Sequence, residues 1–442
     1  MDILKEKQDN NQSDKVIRHL DVAMVGAGPS NLSLAAHLHP YYDKPFAILD
    51  QRAEIHWHAG MMLEDAVLQS SHYKDLIFPS DPRSEFTFLN YLHSRKLLYR
   101  YIHAEFRCPL RLEFQSYLRW VAERLSTRIY MNSNVQEINL VNNQFRIEGN
   151  NFCFTASTLV LGVGHQPRFP AGVKVFLSED VFHSSDFVHK RDKAGGFARK
   201  RVTVVGAGQS AAEIIRDLIS DESALPEEIL WLNRSRSYHM FDETVLCNDI
   251  YTPSFAQYFF RQDQMTKDHL NKIYKSSSDG IVSDLMLDIF RRMYVLDVLK
   301  ERKLNYRTRV GQSFSELSKS QDGVYHVHSI HNNVKHTDNC DVVIFATGYE
   351  AMKSPLTEQV LAYLEKDDKG SQIINGDYST KLNRSSSAKL FLQNFSSSTF
   401  GWMDPNLGGT SYRSAKIANV ILGRDVYSNE DTGTFVDWDC IR

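Results

Sequence analysis

Two stretches of the chain share one order of apolar and polar positions. In each, five largely apolar residues (21–25 and 201–205) precede a glycine turn, and a helix-prone segment (32–38 and 212–218) follows it. Short continuous apolar runs are typical of buried parallel strands, and apolar residues at intervals of three or four are typical of helices. The pattern therefore predicts two strand–turn–helix units whose turns lie 180 residues apart.

The two turns carry related glycine motifs. The first reads Gly-Ala-Gly-Pro-Ser-Asn at 26–31, and the second reads Gly-Ala-Gly-Gln-Ser-Ala at 206–211. A glycine turn between a strand and a helix lets backbone N–H groups and the positive helix start hold a pyrophosphate. One such motif is weak evidence, but two copies in matching contexts predict two dinucleotides on one chain. A protein of that kind usually passes electrons between them.

Shorter patterns predict further elements around the two units. Apolar runs predict strands at 46–50, 128–130, 144–147, 153–155, 158–164, 228–232 and 340–349. Helical spacing predicts helices at 86–98, at 112–125 and over most of 254–304. We expect the run at 158–164 to return to the first unit's sheet. The run at 340–349 should close the return from the second unit to the first.

These elements predict an α/β fold with two Rossmann-like dinucleotide-binding domains, the second inserted in the first, and a small, mostly helical substrate region. The expected parts are a disordered N-terminus (1–18), a first domain (19–198 and 341–425), a second domain (199–253 and 305–340), the helical substrate-binding region (254–304) and a C-terminal tail (426–442).

Composition narrows the class of protein. The 442 residues are 42% hydrophobic and 24% charged, which suits two or three globular domains. The net charge of −3 offers no reason to expect nucleic acid or an anionic membrane as a partner. The first twenty residues are polar, and no apolar run approaches the roughly 20 residues of a membrane span. We therefore predict a cytoplasmic protein.

Cysteine usage bears on the redox chemistry. The five cysteines are scattered and include no Cys-x-x-Cys pair. This spacing excludes a redox-active disulfide of that kind and argues against a structural zinc site, so no metal is predicted. The chemistry must therefore come from a bound organic cofactor.

The residues after the second strand of each unit suggest which dinucleotide each unit binds. Asp50 lies 22 residues past Gly28, where an acid typically accepts a ribose hydroxyl, as in FAD. The second unit has no acid there but has Arg234 and Arg236, which suit the 2′-phosphate of NADPH. We therefore predict FAD at the first turn and NADPH at the second.

Further segments carry a family resemblance. They are His-Trp-His-Ala-Gly-Met-Met-Leu (56–63), Leu-Gln-Ser-Ser-His-Tyr-Lys-Asp-Leu (68–76), Phe-Leu-Asn-Tyr-Leu (88–92), Asn-Asp-Ile-Tyr-Thr-Pro (248–253), Ser-Asp-Gly-Ile (278–281), Phe-Ala-Thr-Gly-Tyr (345–349) and Tyr-Arg-Ser-Ala-Lys-Ile (412–417). With the two glycine motifs, they make the chain resemble the flavin-dependent N-hydroxylating monooxygenases of siderophore biosynthesis, from about residue 20 to 425. That group acts on L-lysine, L-ornithine, diamines or histamine, and Ser-Asp-Gly-Ile looks more like its lysine branch.

The resemblance implies positions for the binding sites. It places Gln69 by the reactive edge of the flavin, Lys74 on the carboxylate of an amino-acid substrate, and Asn248 in a hydrogen bond to substrate. The FAD residues would be Gly26, Gly28, Pro29, Asn31, Asp50, Trp57, His58, Gln69, Thr347 and Gly348. The NADPH residues would be Gly206, Gly208, Gln209, Ser210, Arg234, Arg236 and Tyr349.

One part of the expected substrate wall departs from the lysine enzymes. Gly408 and Gly409 stand where those enzymes carry a Leu-Ser pair, and Phe400 replaces a histidine in the preceding loop. We expect these changes to enlarge or reshape the pocket, with aromatic surface from Phe400. Asp279 and Asp404 are candidate counter-ions for a cationic substrate. The amine therefore stays open among a lysine-like amino acid, cadaverine, putrescine and histamine.

The resemblance also implies a reaction. NADPH would reduce FAD, O2 would add to give a C4a-hydroperoxyflavin, and the terminal primary amine of the substrate would be N-hydroxylated. By family analogy the protein would form a homo-oligomer, a tetramer. Two alternatives stay open. A Baeyer–Villiger-like monooxygenase would need Phe and Gly where Leu177 and Glu179 precede His183, and a non-enzymatic flavoprotein would bind nucleotide without turnover.

Overall fold

The computed structural model describes residues 17–300, 305–367, 370–428 and 434–438. The strands are β1 (Ile17–Val25), β2 (Phe46–Leu49), β3 (Ile129–Tyr130), β4 (Val135–Val141), β5 (Gln144–Gly149), β6 (Cys153–Leu161), β7 (His165–Pro167), β8 (Val181–His183), β9 (Arg201–Val205), β10 (Glu228–Leu232), β11 (Asn305–Arg309), β12 (Ser313–Lys319), β13 (Tyr325–His331), β14 (Val334–Cys340), β15 (Val342–Phe345), β16 (Tyr349–Ala351) and β17 (Lys389–Leu392).

The α-helices connect these strands. They are α1 (Pro29–Leu38), α2 (Phe88–Ser94), α3 (Leu98–His103), α4 (Arg111–Arg124), α5 (Phe187–Ala194), α6 (Gln209–Leu218), α7 (Pro253–Arg261), α8 (Gln264–Ile273), α9 (Ser276–Asp279), α10 (Ser283–Tyr294), α11 (Pro355–Leu361), α12 (Ser397–Phe400) and α13 (Thr410–Leu422). Among the described residues, no helix combines the length and apolar character needed to cross a membrane.

The first unit forms a seven-stranded sheet in the order β3-β2-β1-β6-β5-β4, and β17 adds to β6. The predicted strands at 153–155 and 158–164 merge into one strand, β6, which pairs in parallel with β1. The last four residues of β1 are buried, as expected for a strand covered on both faces. This sheet begins at Ile17, so residues 17 and 18 are strand and not part of a disordered lead-in. The remainder of that expected lead-in, 1–16, lies outside the described residues.

The second unit forms a parallel five-stranded sheet in the order β11-β10-β9-β15-β8. Two of these strands, β8 and β15, were expected in the first domain, and the structure corrects that boundary. β15 is a short apolar run that is fully buried, so it fits either parallel sheet by composition; its register places Val342 opposite Val202 of β9. The chain rejoins the first sheet only at β17.

The connection between the two sheets is a small antiparallel pair. β7 follows β6 in the chain, and β16 follows β15 after a glycine turn; the two strands pair with each other. A separate antiparallel sheet, β12-β13-β14, contributes Leu317 and Val327 to a core shared with the second sheet. The two dinucleotide units are therefore joined side by side through paired backbone.

The expected helical region at 254–304 does not form one separate body. Phe255 and Phe259 of α7 belong to the core of the first unit, whereas Ile289 of α10 belongs to the core of the second. Residues 301–304 lie outside the described part of the chain.

The expected C-terminal tail also contributes to a core. Tyr427 is buried and donates from its hydroxyl to the His37 carbonyl at 2.6 Å, and the ring of Trp438 lies 4.8 Å from that of Phe255. The apolar side chains of this segment anchor it, which is why its described residues do not behave as a tail. Residues 429–433 and 439–442 lie outside the described part of the chain.

Candidate functional site

The first glycine turn joins β1 to α1, and its two glycines have different roles. Gly26 has a left-handed backbone (φ +97°), and a side chain there would collide with the carbonyl oxygen of Gly162. Gly28 has an ordinary extended backbone, and a Cβ there would meet nothing within 4 Å. Gly26 thus permits the close approach of two chain segments. Gly28 keeps open the space in front of the helix start, where a pyrophosphate would bind.

Asn31 supports this turn from inside the protein. Its side-chain amide donates to the carbonyls of Val25 (3.0 Å) and Gly26 (2.7 Å), and its Oδ1 accepts from Gln393 Nε2 (2.9 Å). The side chain is completely buried. Its expected side-chain contact with FAD is therefore corrected: Asn31 holds the shape of the turn. Pro29 opens α1, where its fixed φ and missing N–H cost the helix nothing.

Asp50 follows β2 directly and reaches the same turn. Its carboxylate accepts from the Ala27 N–H at 2.6 Å and pairs with Arg52 at 2.7 Å. Burial opposes ionisation of this group, but the hydrogen bonds and charge of Arg52 and the Ala27 N–H outweigh burial and lower the pKa of Asp50. The acid is thus ionised beside the first turn. A contact with ribose stays a prediction.

In the second glycine turn, between β9 and α6, the two glycines have the same two roles. Gly206 has φ +133°, and a side chain there would collide with the Ala346 carbonyl oxygen, much as Gly26 faces Gly162. At Gly208 the nearest atom to an added Cβ is the Asp279 carbonyl oxygen, at 3.6 Å. The start of α6 therefore also faces open space. Ser210 lies half-buried in its first turn.

Gln209 has a structural role in addition to its place in the second turn. Its side chain donates to Glu213 at 2.9 Å and accepts from the Val282 N–H at 3.0 Å. The amide nitrogen thus bonds within α6, and the amide oxygen connects α6 to the segment before α10. The predicted contact of Gln209 with NADPH stays a prediction.

Arg234 and Arg236 lie on the loop after β10 and are exposed. Neither forms an ion pair within the described ranges of the chain. The loop is shaped by the buried Asn233, which accepts from the Ser235 N–H (2.8 Å) and donates to the Ser237 carbonyl (3.0 Å). Two uncommitted guanidinium groups on a rigid loop suit a phosphate. Sequence reasoning missed Asn233, although an Asn that starts a loop is a known turn signal.

Lys74 is the central residue of the candidate substrate region. It is half-buried, and its Nζ lies 5.7 Å from the centre of the Tyr251 ring. Burial lowers the pKa of Lys74, and the nearby charge of Asp249 partly opposes that shift. Among the described residues its ammonium group has no hydrogen bond and no ion pair. A partly desolvated cation of this kind favours an anionic partner.

The two glycines before α13 do not leave the empty space that the sequence suggested. A Cβ at Gly408 would lie 2.9 Å from Cδ of Lys74 and 3.0 Å from Oδ1 of Asn406. A side chain at Gly409 would collide with the Met403 carbonyl oxygen. The structure contradicts an enlarged pocket, and a reshaped pocket stays a prediction. The stem of Lys74 occupies the volume beside Gly408, and the backbone fills the volume beside Gly409.

Other elements bring the remaining substrate residues close to the second turn. Gln69 Nε2 donates to the Gly280 carbonyl at 3.3 Å. The Tyr251 hydroxyl donates to the Ser277 carbonyl, so the segment of Lys74, the turn at Cys247–Tyr251 and α9 meet. Asn248 lies in that turn and donates from Nδ2 to the Glu243 carbonyl at 3.3 Å.

Asp279 and Asp404, the two candidate counter-ions, differ in their surroundings. Asp279 is half-exposed, and its carboxylate pairs with Lys275 at 3.4 Å while its carbonyl faces Gly208. Asp404 is 1% exposed, pairs with the equally buried Arg413 at 2.8 Å, and accepts from the Ser396 N–H at 2.8 Å. Asp404 thus cannot meet a substrate, and its expected role is corrected to a structural one.

Phe400 also turns out to be a core residue. Its ring is 2% exposed and stacks between those of Tyr378, at 4.0 Å, and Phe260, at 5.4 Å. Both of its faces are therefore covered. The expected aromatic wall at this position is corrected.

The pair of Asp404 and Arg413 leads to a stability prediction. An Asp404→Asn variant leaves Arg413 charged and unpaired in the core, so we expect it to lose about 3–5 kcal/mol of unfolding free energy. The control variant Asp279→Asn removes a half-exposed pair and should lose about 0–1 kcal/mol. Urea unfolding followed by circular dichroism measures both. Equal midpoints for the two variants would contradict the structural role of Asp404.

Trp57, His58 and Tyr349 lie together at the junction of the two units. The His58 ring is 4.6 Å from that of Trp57 and 5.9 Å from that of Tyr349. The His58 side chain is exposed to solvent at this junction. His58 also has a left-handed backbone (φ +52°), which is uncommon outside glycine. This strained position supports a functional role for the junction.

Thr347 and Gly348 lie at the same junction, on the connection from β15 to β16. The Thr347 carbonyl accepts from the Arg168 side chain at 2.7 Å, and the Gly348 carbonyl accepts from His183 Nε2 at 3.0 Å. Their contact with FAD stays a prediction.

An ion pair connects the two units near this junction. Arg111 of α4 in the first unit pairs with the buried Glu213 of α6 in the second unit at 2.8 Å. Sequence reasoning missed this pair because the partners are 102 residues apart.

A cleft of about 780 Å³ runs along α6, from Gln209 at its first turn to Ser220 beyond its end. Its lining includes seven carboxylates but only two arginines, Arg191 and Arg216. Such a negative lining disfavours a diphosphate. The glycine turns therefore remain the better positions for the two dinucleotides.

Taken together, two open glycine turns, with Lys74 and its neighbours packed close to the second, define a two-dinucleotide redox protein. Comparison with known proteins identifies the family to which this redox protein belongs. The sequence profile of the L-lysine 6-monooxygenase/L-ornithine 5-monooxygenase family matches residues 18–351. The chain belongs to this family and is an N-monooxygenase of the lysine, ornithine and diamine type, an enzyme of siderophore biosynthesis. The resemblance and the fold class predicted from the sequence are thereby confirmed.

Individual relatives cover almost the whole chain. The L-lysine N6-monooxygenase of Escherichia coli is 29% identical over 95% of this chain and 99% of its own length. Among solved structures, the FAD-bound cadaverine monooxygenase of the desferrioxamine pathway from Erwinia amylovora has a TM-score of 0.86 and 28% identity, covering 94% of this chain and 97% of its own. The Kutzneria ornithine N-hydroxylase with reduced FAD, NADP+ and L-ornithine has a TM-score of 0.84 and 28% identity, covering 91% and 99%.

Proposed function

We propose that the protein uses FAD and NADPH to N-hydroxylate the terminal primary amine of a small, lysine-like amino acid, and so supplies an N-hydroxyamine for siderophore synthesis. The observation that carries the choice of substrate class is Lys74. Its half-buried ammonium has no hydrogen bond or ion pair in the part of the chain that the structure describes, and the substrate's carboxylate would supply the partner.

The residues at the two turns fit the two cofactors. At the first turn, the space in front of Gly28 and the ionised Asp50 suit FAD. At the second turn, Gly208 and the exposed pair of Arg234 and Arg236 suit the diphosphate and the 2′-phosphate of NADPH. When bound, the flavin supplies the oxygen-activating chemistry, and the nicotinamide supplies the hydride that reduces it.

The protein's own residues would hold the amine neutral and in place. A lysine-like amine has a free pKa of about 10.4, and only its neutral form is a nucleophile. A partly desolvated site disfavours the charged form of the bound amine, which lowers the pKa of that amine. Gln69 and Asn248 are the neutral polar side chains proposed to orient the substrate.

A diamine is the second candidate substrate. Asp249 lies close enough to raise the pKa of Lys74, so it provides part of the negative charge that a carboxylate would otherwise supply. The similarity to the cadaverine monooxygenase points the same way.

The proposal is tested by a product assay. Purified holoenzyme is given NADPH and, in parallel, L-lysine, L-ornithine, cadaverine, putrescine or histamine, and the N-hydroxylated product is measured together with NADPH oxidation. We expect L-lysine to give the highest ratio of product to NADPH. NADPH oxidation without hydroxylated product from every amine would refute the proposed activity, and product from diamines alone would select the second candidate.

The arginine loop gives a separate prediction about the reductant. Removal of a charge-assisted contact with phosphate costs about 1.5–3 kcal/mol, so Arg234→Ala and Arg236→Ala together should raise the KM for NADPH at least about tenfold. The KM for NADH should stay the same, because NADH lacks the 2′-phosphate. Arg424→Ala, which removes another exposed arginine, serves as the control. Equal changes for both reductants would exclude a phosphate contact.

A further inference from the structure

The arginine loop, residues 233–237, is held by backbone hydrogen bonds from the loop that follows β11. The Gly311 N–H donates to the Ser235 carbonyl at 2.8 Å, and the Gln312 N–H donates to the Asn233 carbonyl at 3.0 Å. Ser235 lies directly between the two arginines in the chain. The loop after β11 therefore fixes the course of the backbone from which both guanidinium groups extend.

Side chains of β13 hold that second loop in turn. The Nδ1 atom of His331 lies 2.8 Å from the Gly311 carbonyl oxygen. Because a carbonyl oxygen only accepts, Nδ1 carries the proton and donates it. The buried Gln312 donates from Nε2 to the Ser329 hydroxyl at 2.8 Å. A chain of hydrogen bonds thus runs from His331 through Gly311 to Ser235 in the arginine loop.

Gly311 also brings His331 close to Arg236. The backbone of Gly311 is left-handed (φ +67°), and a Cβ there would lie 3.4 Å from Cγ of Arg236 and 3.4 Å from Cε1 of His331. The stem of the arginine and the imidazole therefore border the same glycine. The Nε2 atom of His331 accepts from the Asn332 amide at 3.1 Å. Both nitrogens of the half-buried imidazole are thus bonded, which fixes the ring, whereas Arg236 is exposed.

The hairpin turn between β13 and β14 determines where His331 lies. His331 is the last residue of β13 and pairs with Val334 of β14. The two residues between them, Asn332 and Asn333, have left-handed φ angles of +47° and +64°. Two successive left-handed residues form a two-residue hairpin turn of type I′, and Asn is favoured there. The position of His331 is therefore set by the local sequence and does not require a bound nucleotide.

We propose that His331 is a positioning residue for the reductant, which holds the arginine loop through Gly311 so that Arg234 and Arg236 face the 2′-phosphate of NADPH. This inference rests on the proposed function of those two arginines. A guanidinium group binds a phosphate through two hydrogen bonds only in a defined orientation, so a loop that is already ordered loses less entropy on binding. His331 itself does not contact the nucleotide. A nucleotide without the 2′-phosphate therefore binds independently of His331.

Calorimetric titration of the FAD-loaded protein with adenosine 2′,5′-bisphosphate and with 5′-AMP tests the proposal. We expect His331→Ala to weaken binding of the bisphosphate about threefold to tenfold, as for the loss of one hydrogen bond, and to leave binding of 5′-AMP unchanged. His331→Asn should bind the bisphosphate normally, because its amide nitrogen replaces Nδ1, whereas His331→Gln replaces Nε2 and should behave like His331→Ala. The control is His326→Ala, which removes another histidine of β13, bonded to Asn339 at 2.7 Å. Equal losses for both ligands, or no loss for either, would overturn the positioning role.

Variants of the two arginines separate this proposal from the one on which it rests. Arg234→Ala/Arg236→Ala should itself weaken binding of the bisphosphate, and added His331→Ala should bring no further loss, because His331 acts through the arginines. If the arginine variant binds the bisphosphate normally, the assignment of the phosphate to the arginine loop fails together with this proposal. If it binds weakly but His331→Ala binds normally, only the positioning role fails. A further loss in the triple variant would show that His331 contacts the nucleotide directly, which would also overturn the positioning role.

Discussion

A Gly28→Val variant is expected to fold normally and to be purified without FAD. The backbone of Gly28 is extended (φ −85°, ψ 176°), a conformation that valine adopts readily, and a Cβ there meets no atom within 4 Å. The added side chain would therefore cost the fold little. It would, however, occupy the space in front of α1 that a pyrophosphate needs.

Flavin absorbance per chain measures the bound FAD. The unfolding midpoint of the apoprotein measures whether the fold is retained. Gly208→Val is the matched control, because it makes the same change at the second turn. That variant should keep its FAD and lose the response to NADPH. Gly26→Val should instead destabilise the fold, since its side chain would collide with Gly162. A Gly28→Val protein that carries a full complement of FAD would show that the diphosphate binds elsewhere.

Loss of the Lys74 charge is expected to separate amino-acid substrates from diamines. We expect Lys74→Met and Lys74→Ala to raise the KM for L-lysine about tenfold to a hundredfold, since a hydrogen bond between charged groups contributes about 1.5–3 kcal/mol. The KM for cadaverine should change little, because cadaverine has no carboxylate. Lys74→Met keeps most of the apolar stem that packs beside Gly408, so it separates loss of charge from loss of packing.

Steady-state kinetics of product formation with both substrates measures this effect. Gly408→Ala provides an independent check, because its Cβ would lie 2.9 Å from Cδ of Lys74 and must displace that side chain. It should shift the KM for L-lysine in the same direction as Lys74→Met. Equal increases for L-lysine and cadaverine in Lys74→Met would show that Lys74 does not bind a carboxylate.

Local patterns in the sequence predicted the elements that hold the glycine turns. The strands β9 and β10 have the bounds that their apolar runs indicated, 201–205 and 228–232. Asp50 also lies beside the first turn, as its distance from Gly28 suggested. These features depend on residues that are close in the chain, so their spacing carries the information.

The assignment of strands to sheets was less predictable. The run at 342–345 reads as a buried parallel strand, and composition alone does not tell which of two parallel sheets receives it. The same limit applies to α7 and α10, which lie in one helical stretch but join different cores. Apolar periodicity shows that an element is buried, whereas the partner that buries it is chosen by the whole fold.

By itself, the sequence determined the class of this protein: two glycine turns, an acid after one and two arginines after the other, and motifs of the lysine and ornithine monooxygenase family. Only the tertiary structure decided which polar side chains are free to meet a ligand. Asp404 is paired with Arg413, whereas the ammonium group of Lys74 has no hydrogen bond or ion pair among the described residues. The reason is physical, because a side chain's hydrogen bonds and solvent exposure depend on neighbours that folding brings from distant parts of the chain.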